Sequence, residues 1–165
     1  MILDKITPSK FDSVLGEGTG AGMIFGNTGG VMEAALRTVY RVLEGKEAPA
    51  DFYQLRPVRG LSNRKEAEVT IAGKKLRVCI LYGTAAAEKF LAEDMNGYHF
   101  VEVMTCPGGC ISGAGQPDCG SVPVSDVVRK KRIQSLYQAD EQAERRNSMD
   151  NPEIGTIYHE FLKSH

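Results

Sequence analysis

Several residue types and patterns that mark whole classes of protein are scarce or missing in this sequence. It has no tryptophan, and its three histidines have no cysteine or histidine nearby at metal-ligand spacing. No apolar run approaches the roughly 20 residues that cross a bilayer, so we expect no membrane span. The net charge of −1 gives no electrostatic basis for binding nucleic acid. With 42% hydrophobic and 25% charged residues, the chain is expected to form one soluble globular domain or lobe.

The chain also has few cysteines, and its first residues lack the basic region and small-residue cleavage site of a signal peptide. The expected location is therefore cytoplasmic, where disulfides are disfavoured. Cys79 lies in an apolar run that is typical of a strand, and we expect it to be a small core residue. Cys119 lies in a turn-rich loop, where it is either an accessory ligand or a bystander thiol.

The other two cysteines, Cys106 and Cys110, are separated only by Pro-Gly-Gly and directly follow an apolar run. Thiolates are soft ligands, so this spacing indicates iron–sulfur or zinc ligation, or redox chemistry. Glycines let the backbone approach a bulky cluster, and Pro107 stiffens the link between the two thiols. A zinc site would need two more ligands, and only Cys119 is near in sequence.

A glycine-rich segment, 16–30, precedes a helical pattern. The segment predicts an irregular, close-packed turn, and it matches neither of the two common phosphate-binding glycine motifs. We predict that Thr28 caps the following helix and that Gly45 ends it. Free N–H groups and the positive dipole end at the start of this helix favour an electron-rich or anionic ligand.

The middle of the chain predicts an α/β fold with a small, partly parallel sheet flanked by helices. Segments 67–72 and 76–82 have the pattern of a β-hairpin whose second strand is the more buried. A short helix over 84–94, with Thr84 as its cap, and a strand over 98–104 complete a right-handed βαβ crossover. Ligands of open α/β sheets lie beyond the carboxyl ends of strands, and the Cys106 loop follows such an end.

The remaining segments are a predicted surface loop over 48–65 and a helical C-terminal region. Residues 125–146 favour a helix, and its basic cluster, 129–132, is either a solvated face or a docking patch for an acidic partner. Asn151 and Pro152 are typical of a helix start. The apolar stripe predicted on that last helix consists of Ile154, Ile157, Tyr158, Phe161 and Leu162.

Two stretches resemble a known family in the same order along the chain. Residues 102–110 with 113–117 are similar to the third cysteine motif of the FeFe-hydrogenase catalytic domain, and 18–38 to the glycine-rich turn and helix that precede it. The resemblance implies one lobe of that catalytic domain over 1–122. It implies a helical tail over 123–165, like the terminal helix that some members carry on a separate small subunit.

The resemblance also implies a cofactor, the H-cluster, in which a 4Fe-4S cluster is joined through one cysteine to a two-iron unit with carbonyl and cyanide ligands. Cys106 would be a ligand of the 4Fe-4S cluster, and Cys110 would bridge to the two-iron unit. The residues implied to line the two-iron unit are Phe25, Gly26, Val31 and Met104. Without the resemblance, Phe25 and Val31 would be interpreted simply as core residues.

Two earlier cysteine motifs of that family, a Cys-Cys-Pro and a Met-Pro-Cys followed by lysine, do not occur in this sequence. The expected partner is the remaining part of the catalytic domain on a separate chain, with an electron carrier such as ferredoxin. Hydrogenase activity is expected only with that missing part. Two alternatives stay open: a non-catalytic iron–sulfur protein related to cytosolic assembly factors, and an inactive truncated fragment. Gly108 favours the enzymes, because the assembly factors often carry serine at this position.

Overall fold

The chain folds around a three-stranded mixed sheet. The computed structural model describes residues 3–10, 17–93, 95–120 and 122–163. The strands are β1 (Arg64–Ile71), β2 (Lys74–Tyr82) and β3 (Phe100–Met104), in the order β1-β2-β3. β1 and β2 are antiparallel, whereas β2 and β3 are parallel. The predicted α/β class and the partly parallel sheet are confirmed.

Within these described ranges the chain forms five α-helices. They are α1 (Gly20–Ile24), α2 (Gly30–Glu44), α3 (Thr84–Leu91), α4 (Asp126–Gln142) and α5 (Pro152–Thr156). The segment predicted to be a loop contains two 3-10 turns, Ala50–Gln54 and Arg56–Val58, and a π-helical turn, Ile157–Phe161, extends α5. Thr84 is the first residue of α3 rather than its cap, because Gly83 takes the N-cap position. Three residues at the limits of predicted segments, Gly16, Asp94 and His165, lie outside the described residues.

β2 is the central strand, and its side chains alternate between two cores. Val78 and Ile80 face α2 and pack with its buried residues and with the 3-10 turns that follow α2. Cys79 and Leu81 face the opposite side and pack against Phe90 of α3. The prediction that Cys79 is a core residue is confirmed, since it is fully buried.

A third core joins the glycine-rich segment to the C-terminal region. Ala21 and Ile24 of α1 pack with Ala34 of α2 and Tyr137 of α4, and Ile133 borders the cluster. Ser125 caps α4 by accepting a hydrogen bond from the Val128 N–H group, so the helix predicted over 125–146 is confirmed, although it ends earlier, at Gln142. α4 is therefore anchored on the same helices that flank the cysteine loop.

A buried ion network reinforces this anchorage. Both guanidinium nitrogens Nη1 and Nη2 of Arg37 donate to the Asp140 carboxylate at 2.8 Å, and Nη2 also donates to Glu33 at 2.8 Å. Arg146 donates to Asp140 at 2.6 Å. The side chains of Arg37, Glu33 and Asp140 are all fully buried. Removing one partner of such a network leaves a buried charge uncompensated, so the joint between α2 and α4 depends on each member.

The C-terminal region differs from α4 in its exposure. Asn151 caps α5 and Pro152 is its first residue, as predicted. The predicted apolar stripe is largely open to solvent, with Tyr158 51% and Phe161 85% exposed. Within the described ranges, no helix is both long and apolar enough to span a membrane.

Candidate metal centre at the cysteine loop

The cysteine loop begins where β3 ends, at Met104. Its backbone is folded tightly by two hydrogen bonds, from the Gly109 N–H to the Cys106 carbonyl at 2.9 Å and from the Gly113 N–H to the Cys110 carbonyl at 3.0 Å. Both thiols are free; Cys106 is half-buried and Cys110 is exposed. The loop therefore presents two accessible thiols beyond the carboxyl end of a parallel strand.

Two backbone hydrogen bonds join this loop to the glycine-rich turn. The Thr28 N–H donates to the Gly108 carbonyl, and the Ile111 N–H donates to the Gly26 carbonyl, both at 2.9 Å. Gly109 lies at the contact with a φ of +98°, and a Cβ atom there would be 2.8 Å from the Thr28 nitrogen. A side chain at this position would push the two segments apart, so their close approach depends on glycine.

The start of α2 is capped by a distant carboxylate, and the prediction that Thr28 caps it is wrong. Gly29 occupies the N-cap with a φ of +89°, where a Cβ would lie 2.0 Å from the Val58 carbonyl oxygen. Glu102 of β3 accepts hydrogen bonds from the Gly29 N–H at 2.6 Å and the Met32 N–H at 2.7 Å. The strand that leads to the cysteines thus satisfies the free amides of the helix that follows the turn.

The carbonyl and the hydroxyl of Thr28 accept hydrogen bonds from Lys65 instead. The Lys65 ammonium is buried and donates to the Thr28 carbonyl at 3.1 Å, the Thr28 hydroxyl at 3.3 Å and the Gly60 carbonyl at 3.0 Å. Burial lowers the pKa of Lys65 to about 8, an effect that the Glu102 charge opposes. Burial likewise raises the pKa of Glu102, against the amides it accepts from and the Lys65 charge. The turn is therefore held on both sides by buried groups of opposite charge.

Two arginines of α4 hold the other side of the cysteine loop. Arg129 donates through Nε to the Ser112 hydroxyl at 3.1 Å. Arg132 donates to the carbonyls of Ile111 and Pro117, and its Nη2 lies 3.5 Å from the Cys119 sulfur. These two members of the basic cluster are neither a solvated face nor a free docking patch, because they are committed to the loop.

The predicted lining residues lie on three elements that meet near the loop. Gly26 contacts the loop directly, and Phe25, next to it, is 45% exposed. Val31 is in the first turn of α2 and Met104 is the last residue of β3, and both are half-buried. A cavity of about 310 Å³ opens where the turn and the loop meet, and its lining residues are Gly26, Cys110, Ile111, Gln116, Arg132, Ser135 and Leu136.

These features fit an iron–sulfur group. Two free thiols lie on a loop shaped by glycines, and one of them, Cys110, borders an open cavity. Thiolates are the usual ligands of iron–sulfur clusters. Among the residues that the structure describes, no three or more His, Cys, Asp or Glu side chains are grouped to hold a metal ion.

Glu102 and Lys65 are the site residues that the sequence interpretation missed. The sequence pattern places Lys65 at the end of a surface loop, but it lies in β1 and is buried. Glu102 interrupts an apolar strand at the position between Val101 and Val103. A carboxylate within such an apolar strand is the one sequence signal that could have identified Glu102 as a site residue, because a charged residue on the inner face of a strand needs a partner.

Comparison with known proteins agrees with this geometry. Residues 1–114 match the model of the family described as iron only hydrogenase large subunit, C-terminal domain, and 126–165 match the iron hydrogenase small subunit. Iron hydrogenase 1 of Clostridium pasteurianum is 40% identical over 162 residues, which are 96% of this chain and 28% of that protein. A cytosolic Fe-S cluster assembly factor of Xenopus tropicalis is 27% identical over 172 residues, which are 98% of this chain and 34% of that protein.

Among solved structures, an FeFe-hydrogenase from Chlamydomonas reinhardtii superimposes with a TM-score of 0.71 at 31% identity. The match covers 99% of this chain and 47% of the algal one, so this chain spans less than half the length of these relatives. The fold, the cysteine loop and both family matches lead to the same conclusion. The chain belongs to the iron-only hydrogenase family and corresponds to the C-terminal part of its larger catalytic domain.

Proposed function

We propose that this chain provides part of the H-cluster site of an FeFe-hydrogenase. In this proposal Cys106 is a ligand of the 4Fe-4S cluster and Cys110 bridges it to the two-iron unit. The observation that carries the proposal is the position of these two thiols, on a loop fixed to the glycine-rich turn at both Gly108 and Ile111. Membership of the family supports the nature of the group.

The remaining ligands come from the rest of the catalytic domain, which we propose to be a separate chain. The two thiols are the donors that the described site offers, and a 4Fe-4S cluster in this family has four cysteine ligands. The curated relatives and the solved neighbours are longer than this chain, which covers 28% of the clostridial enzyme and 47% of the algal one. An electron carrier such as ferredoxin and a cytoplasmic location are further parts of the proposal.

When bound, the H-cluster supplies the reversible chemistry 2 H⁺ + 2 e⁻ ⇌ H₂. The residues of this chain hold and enclose it. Phe25, Val31 and Met104 provide apolar surface that limits the access of water to the two-iron unit. When the rest of the catalytic domain covers the loop, both thiolates become buried, which is costly without a metal charge, so metal binding is coupled to assembly of the complex.

We further propose two functional units, a cluster-binding lobe over 1–122 and a small-subunit-like tail over 123–165. The tail supports the site through α4, because Arg129 and Arg132 hold the cysteine loop. Asp140 joins the same helix to α2. A tail that stabilises the loop in this way contributes to the site without touching the cluster.

Activity of a matured complex tests this proposal. The chain is co-expressed with a chain that carries the missing Cys-Cys-Pro and Met-Pro-Cys motifs and with the cluster-maturation enzymes. We expect hydrogen evolution and infrared bands of iron-bound carbonyl and cyanide, both lost in Cys110→Ala and retained in the control Cys119→Ala. A fully matured complex without hydrogen evolution would contradict the proposal.

The frog assembly factor is 27% identical to this chain over a match that covers 98% of it. This match favours one alternative function, that of a non-catalytic iron–sulfur protein. That function predicts iron and sulfide in the purified complex without carbonyl or cyanide bands. An inactive truncated fragment predicts no stoichiometric iron with any partner. The same infrared and iron measurements therefore separate all three.

A further inference from the structure

Cys119 is an accessible thiol that the proposed cluster site does not use. It is free and exposed, and Nη2 of Arg132 lies 3.5 Å from its sulfur. Exposed thiols react with small disulfides, whereas the fully buried Cys79 is shielded from them. The thiols of this chain that solvent can reach are therefore confined to the cysteine loop and to the turn that carries Cys119.

One arginine brings that turn back to the cysteine loop. Nη1 of Arg132 donates to the carbonyl of Ile111, the residue next to Cys110, at 2.5 Å. Nη2 of the same side chain donates to the Pro117 carbonyl and to the Cys119 sulfur. Both nitrogens belong to one small planar guanidinium group. The chain between the two cysteines therefore loops outward and returns Cys119 to the neighbourhood of Cys110.

Cys110 is open on the side from which this turn approaches. It is exposed and borders the cavity of about 310 Å³, which Arg132 and Gln116 also line. Every residue from 114 to 120 is exposed, so this segment can move without breaking buried contacts. A disulfide requires the two Cα atoms to come within about 7 Å of each other. An approach of Cys119 to Cys110 involves only exposed chain.

We propose that Cys110 and Cys119 form a thiol–disulfide exchange site in the metal-free chain, with a small disulfide such as glutathione disulfide as the oxidant. The Cys119 sulfur attacks one sulfur of the small disulfide, whose S–S bond breaks and releases one thiol. The Cys110 sulfur then attacks the Cys119 sulfur of this mixed disulfide and releases the second thiol. Two protein thiols are oxidised to one disulfide, the small disulfide is reduced to two thiols, and the two protons pass to the released thiols.

The consequence of this reaction rests on the proposed function, in which Cys110 is a metal ligand. A Cys110–Cys119 disulfide withholds Cys110 from metal, and it also protects that sulfur from irreversible oxidation to the sulfinic acid. Reduction by a thiol restores the ligand. Cys119 then acts only before the cluster is bound, so its removal leaves the iron content of the reduced complex unchanged.

Disulfide mapping of the metal-free full chain tests the proposal. The chain is incubated with glutathione disulfide in the absence of oxygen, alkylated, and cleaved before aspartate residues. Cleavage before Asp118 separates Cys119 from both Cys106 and Cys110. We expect mass spectrometry to detect the two fragments joined in the wild type and in Cys106→Ala, and separate in Cys110→Ala. Joined fragments in Cys110→Ala, or separate fragments in the wild type, would overturn the pairing.

Alkylation of Cys110 provides a second readout. Treatment with glutathione disulfide is expected to lower it at least about 10-fold in the wild type, and dithiothreitol should restore it. In the matched control Cys119→Ser, alkylation of Cys110 should stay within about twofold of the untreated protein over the same time. An equal loss in Cys119→Ser, or a Cys106–Cys110 disulfide as the main product, overturns the inference.

The iron content of the reduced complex separates this inference from the proposed function. Loss of iron in Cys110→Ala without a Cys110–Cys119 disulfide in the metal-free chain rejects the exchange site and leaves the proposed function intact. Full iron content in Cys110→Ala contradicts the proposed function instead, even where the disulfide forms.

Discussion

Substitution of Glu102 tests how the strand, the turn and the cysteine loop are connected. Glu102 is 5% exposed, and its carboxylate accepts hydrogen bonds from the amides of Gly29 and Met32. Glu102→Ala removes both acceptors at once, and it leaves the buried Lys65 ammonium without its opposing charge. Glu102→Gln keeps one acceptor oxygen and loses the charge.

The size of the effect follows from the two amides. A buried donor that loses its acceptor costs about 1–3 kcal/mol, so the loss of both acceptors in Glu102→Ala is expected to lower the free energy of unfolding by about 2–6 kcal/mol. Glu102→Gln should lose roughly half as much. Since a domain of this kind is stable by about 5–15 kcal/mol, the alanine substitution removes a large share of the total.

Urea denaturation of the full chain, followed by circular dichroism, measures this loss. Glu68→Ala is the matched control, since Glu68 is 55% exposed and pairs with Lys75 on the surface. The control is expected to change stability by less than about 0.5 kcal/mol. Release of the turn should also speed alkylation of the half-buried Cys106 thiol in Glu102→Ala. A loss no larger than that of Glu68→Ala, with unchanged alkylation, would refute the assigned role of Glu102.

Three further predictions concern the other contacts that position α4, the cysteine loop and the glycine-rich turn. Asp140→Ala leaves the buried Arg37 guanidinium without its main partner, and urea denaturation should show a loss of about 3 kcal/mol; a loss under 1 kcal/mol would contradict the network. Gly109→Ala places a Cβ 2.8 Å from the Thr28 nitrogen, so the iron content of the complex should fall; full iron content would show that the two segments tolerate separation. The pKa of Lys65 is about 8 in the folded chain and 10.5 in the unfolded chain. Between these pH values the Lys65 amine is protonated mainly in the unfolded chain, so the free energy of unfolding rises with pH. Across that pH range the free energy of unfolding of the wild type should rise by up to about 3 kcal/mol more than that of Lys65→Met. An equal pH dependence in the two proteins would contradict the lowered pKa of Lys65.

The elements that could be predicted from the sequence are those set by local pattern. The hairpin follows from alternation around Gly73, and α5 follows from the Asn151 cap and Pro152. The parallel pairing of β2 and β3 followed from the short helix between them. Each of these depends on residues close together in the chain, where periodicity and capping rules apply.

The contacts that fix the site could not be predicted in this way. Glu102 reaches amides 70 and 73 residues away, and Lys65 reaches Thr28 across 37 residues. The prediction that Thr28 caps α2 was reasonable from local preference, yet tertiary contacts override it. For Arg129 and Arg132 the sequence predicts either a solvated face or a docking patch, because nothing in the helical pattern shows which side chains bend back onto a loop. Long-range polar contacts are specified by the fold as a whole.

Iron analysis of the anaerobically reconstituted complex tests the central claim most directly. The account predicts that Cys106→Ala and Cys110→Ala each lose bound iron relative to the wild type, whereas Cys119→Ala retains it. Full iron content in both Cys106→Ala and Cys110→Ala would contradict the assignment of these two thiols as the metal ligands of this chain.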